Sequence, residues 1–305
     1  MQRTMMKIKW GNGRFRGIPI AILASACWGT SGLFVSRIMG EGVFSTWQLA
    51  FWREVTTVLT LLVLLGLIRP SLLRVRTTDL PWLLGMGLGM GMLHVTWNVS
   101  VMTNGIPVAT VMQYNAPILV AIAAWFLWRE VVTGRKAAAI ALAIAGTILI
   151  TGLLQSGTGV RLSVPGVLVG LGTAVAYGGM TLFGQKLAGQ YSPWTINFYV
   201  FTFAMLALLP FQVQAGLPTW PLPGVIWLPF AALVIIPTIC GYALYTLSLR
   251  WLPASDAVIV SVTEVVFAAI LAFVLLRQAM DGWQSFGALL VIASVVLLSW
   301  PGQKR

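Results

Sequence analysis

The sequence predicts an all-α integral membrane protein with ten transmembrane helices, arranged as two inverted five-helix repeats. The first observation is composition, because 58% of the 305 residues are hydrophobic and only 9% are charged. A water-soluble domain carries roughly 25% charged residues. The second observation is a series of long apolar segments, and the third is a recurrence of residue pairs along the chain. Together they exclude a soluble globular fold.

Each apolar segment is close to the about 20 residues that cross about 30 Å of hydrocarbon. We predict helices because a spanning segment must satisfy its backbone internally, and because the alternation typical of a membrane β-barrel is absent. In order, the segments cover residues 17–37, 46–68, 80–102, 106–128, 137–154, 165–185, 193–213, 224–249, 254–276 and 283–300.

The basic residues predict the orientation. With the N-terminus inside, fifteen of the 19 Lys and Arg residues fall in inner segments and three in outer loops. Cytoplasmic loops of membrane proteins are enriched in Lys and Arg. We therefore predict a multi-pass inner-membrane protein with both termini in the cytoplasm and a basic tail over residues 1–16. The net charge of +12 has the same origin, so it does not indicate nucleic-acid binding.

Residue pairs recur at an offset of about 146 to 149, which predicts a first repeat over 17–154 and a second over 165–300. The matched pairs are Trp28 with Tyr177, Ser45 with Ser192, Pro107 with Pro253, Arg129 with Arg277 and Gly134 with Gly282. Because five is an odd number of crossings, the second repeat would enter the bilayer inverted. Inverted repeats are typical of secondary transporters, whose substrate site lies near the bilayer midplane.

The same positions carry a family resemblance. Trp28-Gly29, Arg53, Pro107, and Pro117 followed by an apolar run to Trp128-Arg129-Glu130 resemble the drug/metabolite transporter superfamily, in particular its ten-helix exporters with two EamA-type repeats. The resemblance covers nearly the whole chain. In the second half the family pattern is Glu-Pro, an apolar run and an acidic residue, whereas this chain has Glu264-Val265 and Arg277-Gln278.

The layout and the 14 tryptophans look most like the aromatic amino acid exporter branch. This resemblance implies export of aromatic and other neutral amino acids, or of similar small metabolites, by alternating access. The implied partners are a small-molecule substrate and membrane lipid, with a single chain as the working unit. Multidrug export and flipping of a lipid or lipid-linked sugar are the alternatives within the superfamily.

Ionisable residues inside a membrane are costly and therefore indicate a role. Arg53 or Glu264 would face a central cavity and meet the charged ends of a zwitterion, or each would form an internal structural pair. For Arg53 we favour the internal pair. Arg53 and Glu54 are adjacent, so we do not expect them to share a helix face. For Asp256 we expect stabilisation of a helix N-terminus.

The third segment carries a polar stripe. His94, Trp97, Asn98 and Val101 follow i, i+3, i+4, i+7 spacing and should face inward together, as substrate ligands or as bundle structure. His94 and Glu264 are the residues that would carry a proton if transport were coupled. Four glycines earlier in the segment predict close helix packing, with a hinge as the alternative; they are Gly85, Gly87, Gly89 and Gly91.

The fourth segment contains Gln113-Tyr114-Asn115 ahead of Pro117. Three consecutive side chains point in different directions, so not all of them can face one cavity. Pro117 removes the hydrogen bond to the Gln113 carbonyl, which predicts a hinge or a binding position, or else a simple kink. Pro237 in the eighth segment is a second hinge candidate.

Deeply placed aromatic residues from both halves complete the predicted binding site. Trp28, Tyr177, Tyr242 and Tyr245 would line one pocket and stack on a substrate side chain. The alternative for such residues is the aromatic belt at the membrane surface.

Several function classes are not supported. The chain has no P-loop, G-x-S-x-G or H-E-x-x-H motif, and its one histidine excludes a histidine-cluster metal site, so we expect neither catalysis nor a cofactor. Cys27 and Cys240 lie inside apolar segments and should be free thiols. A lipid-modifying enzyme would have to use Arg129-Glu130, where we expect no base nearby. A narrow channel is the last alternative, and a bulky aromatic cavity would argue against it.

Overall fold

A computed structural model describes residues 14–153, 163–218, 221–277 and 280–300. These residues form helices joined by short turns, and no strand occurs among them. Most of the predicted basic tail, residues 1–13, and residue 154 at the end of the predicted first repeat lie outside the described residues.

The first half contains seven α-helices in its described part. They are α1 (Arg14–Gly29), α2 (Ser31–Met39), α3 (Thr46–Ile68), α4 (Leu80–Asn104), α5 (Ile106–Gln113), α6 (Ala116–Trp128) and α7 (Gly134–Ile150), with short 3-10 turns at Pro70–Leu73 and Thr77–Asp79. Ser45 explains where α3 begins, because its hydroxyl accepts from the Gln48 backbone while the Gln48 side chain accepts from the Ser45 backbone.

The second half contains seven α-helices and a π-helix in its described part. It comprises α8 (Val164–Ala188), α9 (Pro193–Ala215), α10 (Gly224–Leu233), a π-helix (Val234–Gly241), α11 (Tyr242–Ser248), α12 (Ala254–Ser261), α13 (Thr263–Leu276) and α14 (Gly282–Ser299). The Ser163 side chain accepts from the backbone nitrogen of Gly166 at the start of α8, and Asp281 caps α14 in the same way.

Eight helical stretches in the described part are long and apolar enough to cross a membrane. They confirm an all-α membrane protein, and they correspond to the predicted segments other than the third and the fifth. The fifth, α7, has 17 residues. The third, α4, has 25 residues, but its glycines and the polar residues His94 and Asn98 lower its hydropathy.

Three of these stretches are interrupted near their middle. The first breaks at Thr30, whose hydroxyl donates to the Cys27 carbonyl over 2.6 Å. The α5–α6 stretch breaks at Tyr114 and Asn115. Pro117, for which the sequence predicted a hinge, a binding position or a kink, follows in the first turn of α6. The α12–α13 stretch breaks at Val262, 148 residues after Tyr114, although no proline follows it.

The α4 glycines make close helix contacts, as predicted. A Cβ atom added to Gly87 would lie 2.8 Å from the Val200 carbonyl oxygen of α9, and one added to Gly89 would lie 3.2 Å from the Ala176 carbonyl oxygen of α8. α4 therefore packs directly against the backbones of α8 and α9. It is one continuous helix at these glycines.

Three contacts join membrane stretches that hold the same place in the two halves. α3 packs on α9, α7 packs on α14, and the α5–α6 stretch packs on the α12–α13 stretch through α6 and α12. The α7–α14 contact is closest at two glycines, since a Cβ on Gly146 would lie 2.7 Å from the Gly287 carbonyl oxygen. Arg129 and Arg277, which end α6 and α13, are the non-glycine residues with a left-handed backbone in the described part, at φ 55° and 53°.

Candidate functional site

A polar cavity of about 190 Å³ lies between the two halves. It contains eight of the ten side chains that the sequence predicted to contact substrate, together with the hinge candidate Pro237. The lining residues are Trp28, Ser31, Arg53, Leu93, His94, Trp97, Thr110, Gln113, Tyr114, Tyr177, Pro237, Thr238, Tyr242 and Glu264. Helices α1, α2, α3, α4, α5 and α8, the π-helix, α11 and α13 thus supply a common site.

Four aromatic rings form one floor of this cavity. The Trp28 ring centroid lies 4.9 Å from those of Tyr242 and Tyr245, and 6.5 Å from that of Tyr177. The Tyr177 hydroxyl donates to Ser261 Oγ over 2.7 Å, and the Tyr245 hydroxyl lies 2.9 Å from Thr181 Oγ1. Tyr245 is fully buried behind the other rings, so it supports the floor and does not line the cavity.

The π-helix positions Trp28. Its last residue, Gly241, has no side chain, and an added Cβ would lie 2.7 Å from Trp28 Cδ1 and 2.8 Å from Trp28 Nε1. The extra residue per turn is stabilised by the Thr238 hydroxyl, which donates to the Leu233 carbonyl five residues back over 2.8 Å. Trp28 Nε1 is buried and has no hydrogen-bond partner among the described residues. It is therefore a free donor beside the cavity.

Arg53, Glu54 and His94 form a charged cluster on another wall. Arg53 Nη2 lies 3.2 Å from Glu54 Oε1 and 2.7 Å from His94 Nε2, while His94 Nδ1 lies 3.1 Å from Glu54 Oε1. Arg53 Nη2 also lies 3.3 Å from His94 Nδ1, so the arginine contacts both ring nitrogens while Nδ1 faces Glu54. Arg53 lines the cavity and Glu54 does not, so the two residues lie on different faces of α3, and the long arginine side chain folds back to reach its neighbour.

Glu264 supplies an acidic group to the cavity. The Tyr114 hydroxyl donates to Glu264 Oε2 over 2.7 Å, and the two residues are 150 positions apart. Among the described residues Glu264 forms no ion pair. Because Arg53 and Glu54 offset each other's charges, Glu264 is the lining carboxylate without a nearby cation to balance it.

The remaining predicted residues divide between the cavity and the protein interior. Gln113 and Trp97 line the cavity, whereas Asn98 is buried and lies outside it. Asn115 turns back, and its Nδ2 donates to the Val111 carbonyl over 2.9 Å, which confirms that the three polar side chains cannot share one direction. Pro117 is buried in α6 without lining the cavity.

Sequence reasoning missed three lining hydroxyls, those of Ser31, Thr110 and Thr238. Ser31 follows Trp28 by three residues and Thr238 follows Pro237 directly, so helical spacing was the signal available. Thr110 precedes Gln113 by three residues and Tyr114 by four, so the same spacing was available, and its hydroxyl donates to the carbonyl of Ile106 within its own helix.

A second ionic cluster lies where α7 meets α12. Lys136 Nζ is 3.0 Å from Asp256 Oδ1, 3.4 Å from Glu130 Oε2 and 2.7 Å from Ser255 Oγ, and its side chain is almost fully buried. Glu130 is therefore one member of an ion-paired cluster. Asp256 does lie in the first turn of α12, as predicted, and it also pairs with Lys136 across the halves.

A larger, apolar groove of about 490 Å³ lies outside the central cavity, between α3 and α10. Its lining includes Phe44, Trp52, Thr56, Trp227 and Phe230, and no charged residue of the described part lines it. Cys27 and Cys240 are free thiols, as predicted.

Known proteins share this sequence pattern and fold. The inner membrane transporter YicL of Salmonella typhimurium is 27% identical over 95% of this chain and 97% of its own length. The transporter sll1319 of Synechocystis is 26% identical over 71% of this chain and 66% of its own length. The threonine/homoserine exporter RhtA of Salmonella typhimurium is 24% identical over 76% of each chain.

A solved crystal structure has the same fold, with a TM-score of 0.77 and 21% identity over 93% of this chain and 96% of the other. The named relatives are transporters and not enzymes, in agreement with the sequence prediction. The model of the EamA-like transporter family matches twice, over residues 15–152 and 164–300, which correspond to the two predicted repeats. The chain belongs to the EamA-like transporter family.

Proposed function

We propose that this transporter exports neutral amino acids, aromatic ones among them, across the inner membrane by alternating access. The observation that carries the proposal is the combination in one cavity of an uncompensated carboxylate, an arginine and an aromatic floor. An amino acid offers an ammonium group, a carboxylate and a side chain, and each has a counterpart here.

The ammonium group would bind Glu264 and the Tyr114 hydroxyl, which already form one hydrogen bond. The carboxylate would bind Arg53, whose Nε is buried without a partner among the described residues. The substrate side chain would then lie against Trp28 and Tyr242, where an aromatic or aliphatic group gains contact area.

The size of the cavity separates this proposal from multidrug export. Its volume of about 190 Å³ is smaller than the roughly 300–1,000 Å³ of pockets that hold drug-sized ligands. The large aromatic side chains that line this cavity also distinguish it from the narrow pore of a channel. The Salmonella relative RhtA, named as a threonine/homoserine exporter, supports an amino-acid substrate and the export direction.

We also propose ten membrane helices in two inverted repeats, with both termini in the cytoplasm and one chain as the working unit. The matched breaks at Tyr114 and Val262, the paired left-handed arginines and the packing of equivalent helices support this arrangement. In this orientation α12 lies on the inner side. All eight of its residues are buried, so the inner side would be closed in this conformation.

The test is uptake of labelled phenylalanine and threonine by the purified protein in liposomes. Saturable uptake is expected, and Trp97→Ala, which alters the cavity wall, should reduce it. Trp82→Phe is the matched control, because Trp82 is a partly exposed tryptophan away from the cavity. Uptake of neither amino acid, or an equal loss in both variants, would contradict the proposal.

Proton coupling is a separate hypothesis within the same site. His94 faces Arg53 and Glu54, while Glu264 faces Tyr114, so these are the groups that would exchange a proton with a substrate. Uptake should then depend on an imposed pH gradient. If His94→Gln and Glu264→Gln both leave that dependence unchanged, coupling through this site is wrong.

Lipid flipping is the second candidate, and the apolar groove between α3 and α10 is the observation in its favour. A flippase also needs basic contacts for a headgroup, and none lines the groove in the described part of the chain. Transfer of a fluorescent phospholipid between leaflets of the same liposomes, at a rate that depends on Arg53, would favour this candidate over amino-acid export.

A further inference from the structure

The groove between α3 and α10 is a separate space from the polar cavity. Trp52 and Thr56 of α3 form one wall, while Ile226 and Trp227 of α10 form the other. The rings of Phe44 and Phe230 also line it, stacked with centroids 6.1 Å apart and planes 8° from parallel. These two rings are almost fully buried, whereas Trp227 is half exposed. The groove therefore extends from the buried rings of Phe44 and Phe230 to the exposed side of Trp227.

The position of the groove determines what surrounds it. α3 and α10 both belong to stretches long and apolar enough to span a membrane, so the groove opens toward lipid hydrocarbon. Among the described lining residues, Thr56 supplies the one hydroxyl group, and its neighbours are apolar. An apolar space left empty loses dispersion contacts on all its walls, so hydrocarbon is the favoured content.

The depth of the groove matches one leaflet. It begins at Phe44, just before α3 starts at Thr46, and at Leu222, just before α10 starts at Gly224, so both helices enter from the same side. It reaches Thr56, ten residues into α3, which corresponds to about 15 Å at 1.5 Å per residue. Half of a hydrocarbon core of about 30 Å is the same length.

We propose that this groove is a binding site for one acyl chain of a membrane phospholipid, with the headgroup left at the membrane surface beyond Phe44 and Leu222. The proposal rests on the membrane-spanning helices and does not depend on the amino-acid substrate. Trp52 lines the groove and the next residue, Arg53, lines the polar cavity, so α3 lies between the acyl chain and the cavity. The bound chain would fill the space between α3 and α10.

The first test is native mass spectrometry of the full-length protein purified from membranes in mild detergent. One phospholipid per chain should remain bound, and Thr56→Phe, which fills the groove, should reduce its occupancy at least about fivefold. Val63→Phe is the matched control, because Val63 is 55% exposed on the same helix but outside the groove. Thr56→Leu provides a smaller filling variant if Thr56→Phe lowers the unfolding temperature.

The second test uses lipid nanodiscs containing phosphatidylcholine with brominated acyl chains, which quench nearby tryptophans. Quenching should saturate at a low fraction of brominated lipid. The double variant Trp52→Phe/Trp227→Phe should remove that component, because both tryptophans line the groove, while Trp125→Phe should leave it. Trp125 is exposed on α6 and does not line the groove. Equal lipid retention in wild-type and Thr56→Phe protein, or quenching that rises only in proportion to bulk lipid, would overturn the proposal. Amino-acid uptake, measured in parallel, reports on the transport function independently.

Discussion

The Tyr114 hydroxyl donates a 2.7 Å hydrogen bond to the Glu264 carboxylate, and each residue adjoins a break in its membrane helix. Tyr114 lies at the break between α5 and α6, and Glu264 lies two residues after the break at Val262. Tyr114 and Val262 are 148 positions apart, within the offset of about 146 to 149 at which residue pairs recur in the sequence. The contact joins the two halves of the chain at the polar cavity, where a relative movement of the halves would act on it.

Replacing Glu264 by Gln should reduce uptake of labelled amino acid at least about tenfold, because the variant keeps the shape but removes the carboxylate that balances the substrate ammonium. Tyr114→Phe removes one hydrogen bond of about 1 kcal/mol, so a loss of about fivefold is expected. Liposome uptake at several substrate concentrations measures both. Wild-type uptake in Glu264→Gln would exclude this residue as the ammonium ligand.

Glu54→Gln should lower stability. Glu54 is fully buried, and its loss would leave Arg53 and His94 without their acidic partner. Removing one member of a buried ion pair costs about 3–5 kcal/mol in soluble proteins. Thermal unfolding in detergent should show a lower midpoint for Glu54→Gln than for Glu41→Gln, which changes an exposed acid in the α2–α3 turn. Equal midpoints would mean that the cluster does not stabilise the fold.

Gly146→Ala should destabilise the contact between α7 and α14. The added methyl group would lie 2.7 Å from the Gly287 carbonyl oxygen and from Val291 Cγ2, so the helices would have to separate. Overpacking of this kind costs about 1–3 kcal/mol. Gly66→Ala is the control, since nothing lies within 4 Å of its added Cβ and alanine favours helix by up to about 1 kcal/mol. The unfolding temperature should fall in the first variant and stay equal or rise in the second.

Lys136→Met should also lower the unfolding temperature, because Lys136 connects the two halves of the chain. Lys136 extends from α7 to Asp256 of α12 and also contacts Glu130, and loss of the ammonium group would leave two carboxylates close together without it. A cost of about 3 kcal/mol or more is expected. Arg74→Met, at an exposed position after α3, serves as the matched loss of a positive charge. A Lys136→Met variant as stable as Arg74→Met would contradict the assignment.

The sequence predicted the helices well where local chemistry specifies them. The segment 46–68 coincides with α3 because Ser45 and Gln48 form a capping box. The break beside Pro117 was also predictable, since proline cannot continue the hydrogen-bond ladder. The break at Val262 was not, because no residue there prevents a helix. The Ser261 and Thr263 hydroxyls on either side of it donate to the carbonyls of Val258 and Val260, each three residues back, and bonds of this kind often bend helices.

The site residues were predictable in so far as helical spacing describes them. His94 and Trp97 share a helix face and both line the cavity. Asn98, the residue after Trp97, is buried and does not line it. Helical spacing describes the direction in which a side chain leaves the helix, so it did not identify Glu54 as the acidic partner that the long, bent side chain of Arg53 reaches. The contact of Gly241 with Trp28 could not be predicted from the sequence, because it depends on the π-helix.

That π-helix makes the aromatic floor sensitive to the number of residues as well as to their identity. An α-helix advances about 100° per residue, so removal of one residue within Val234–Gly241, such as the exposed Ile235, would turn α11 by about that angle relative to α10. Tyr242 and Tyr245 would rotate away from Trp28 without any change in their own chemistry. Relatives that differ by a single gap in this stretch would therefore have differently shaped sites, even where every aromatic residue aligns.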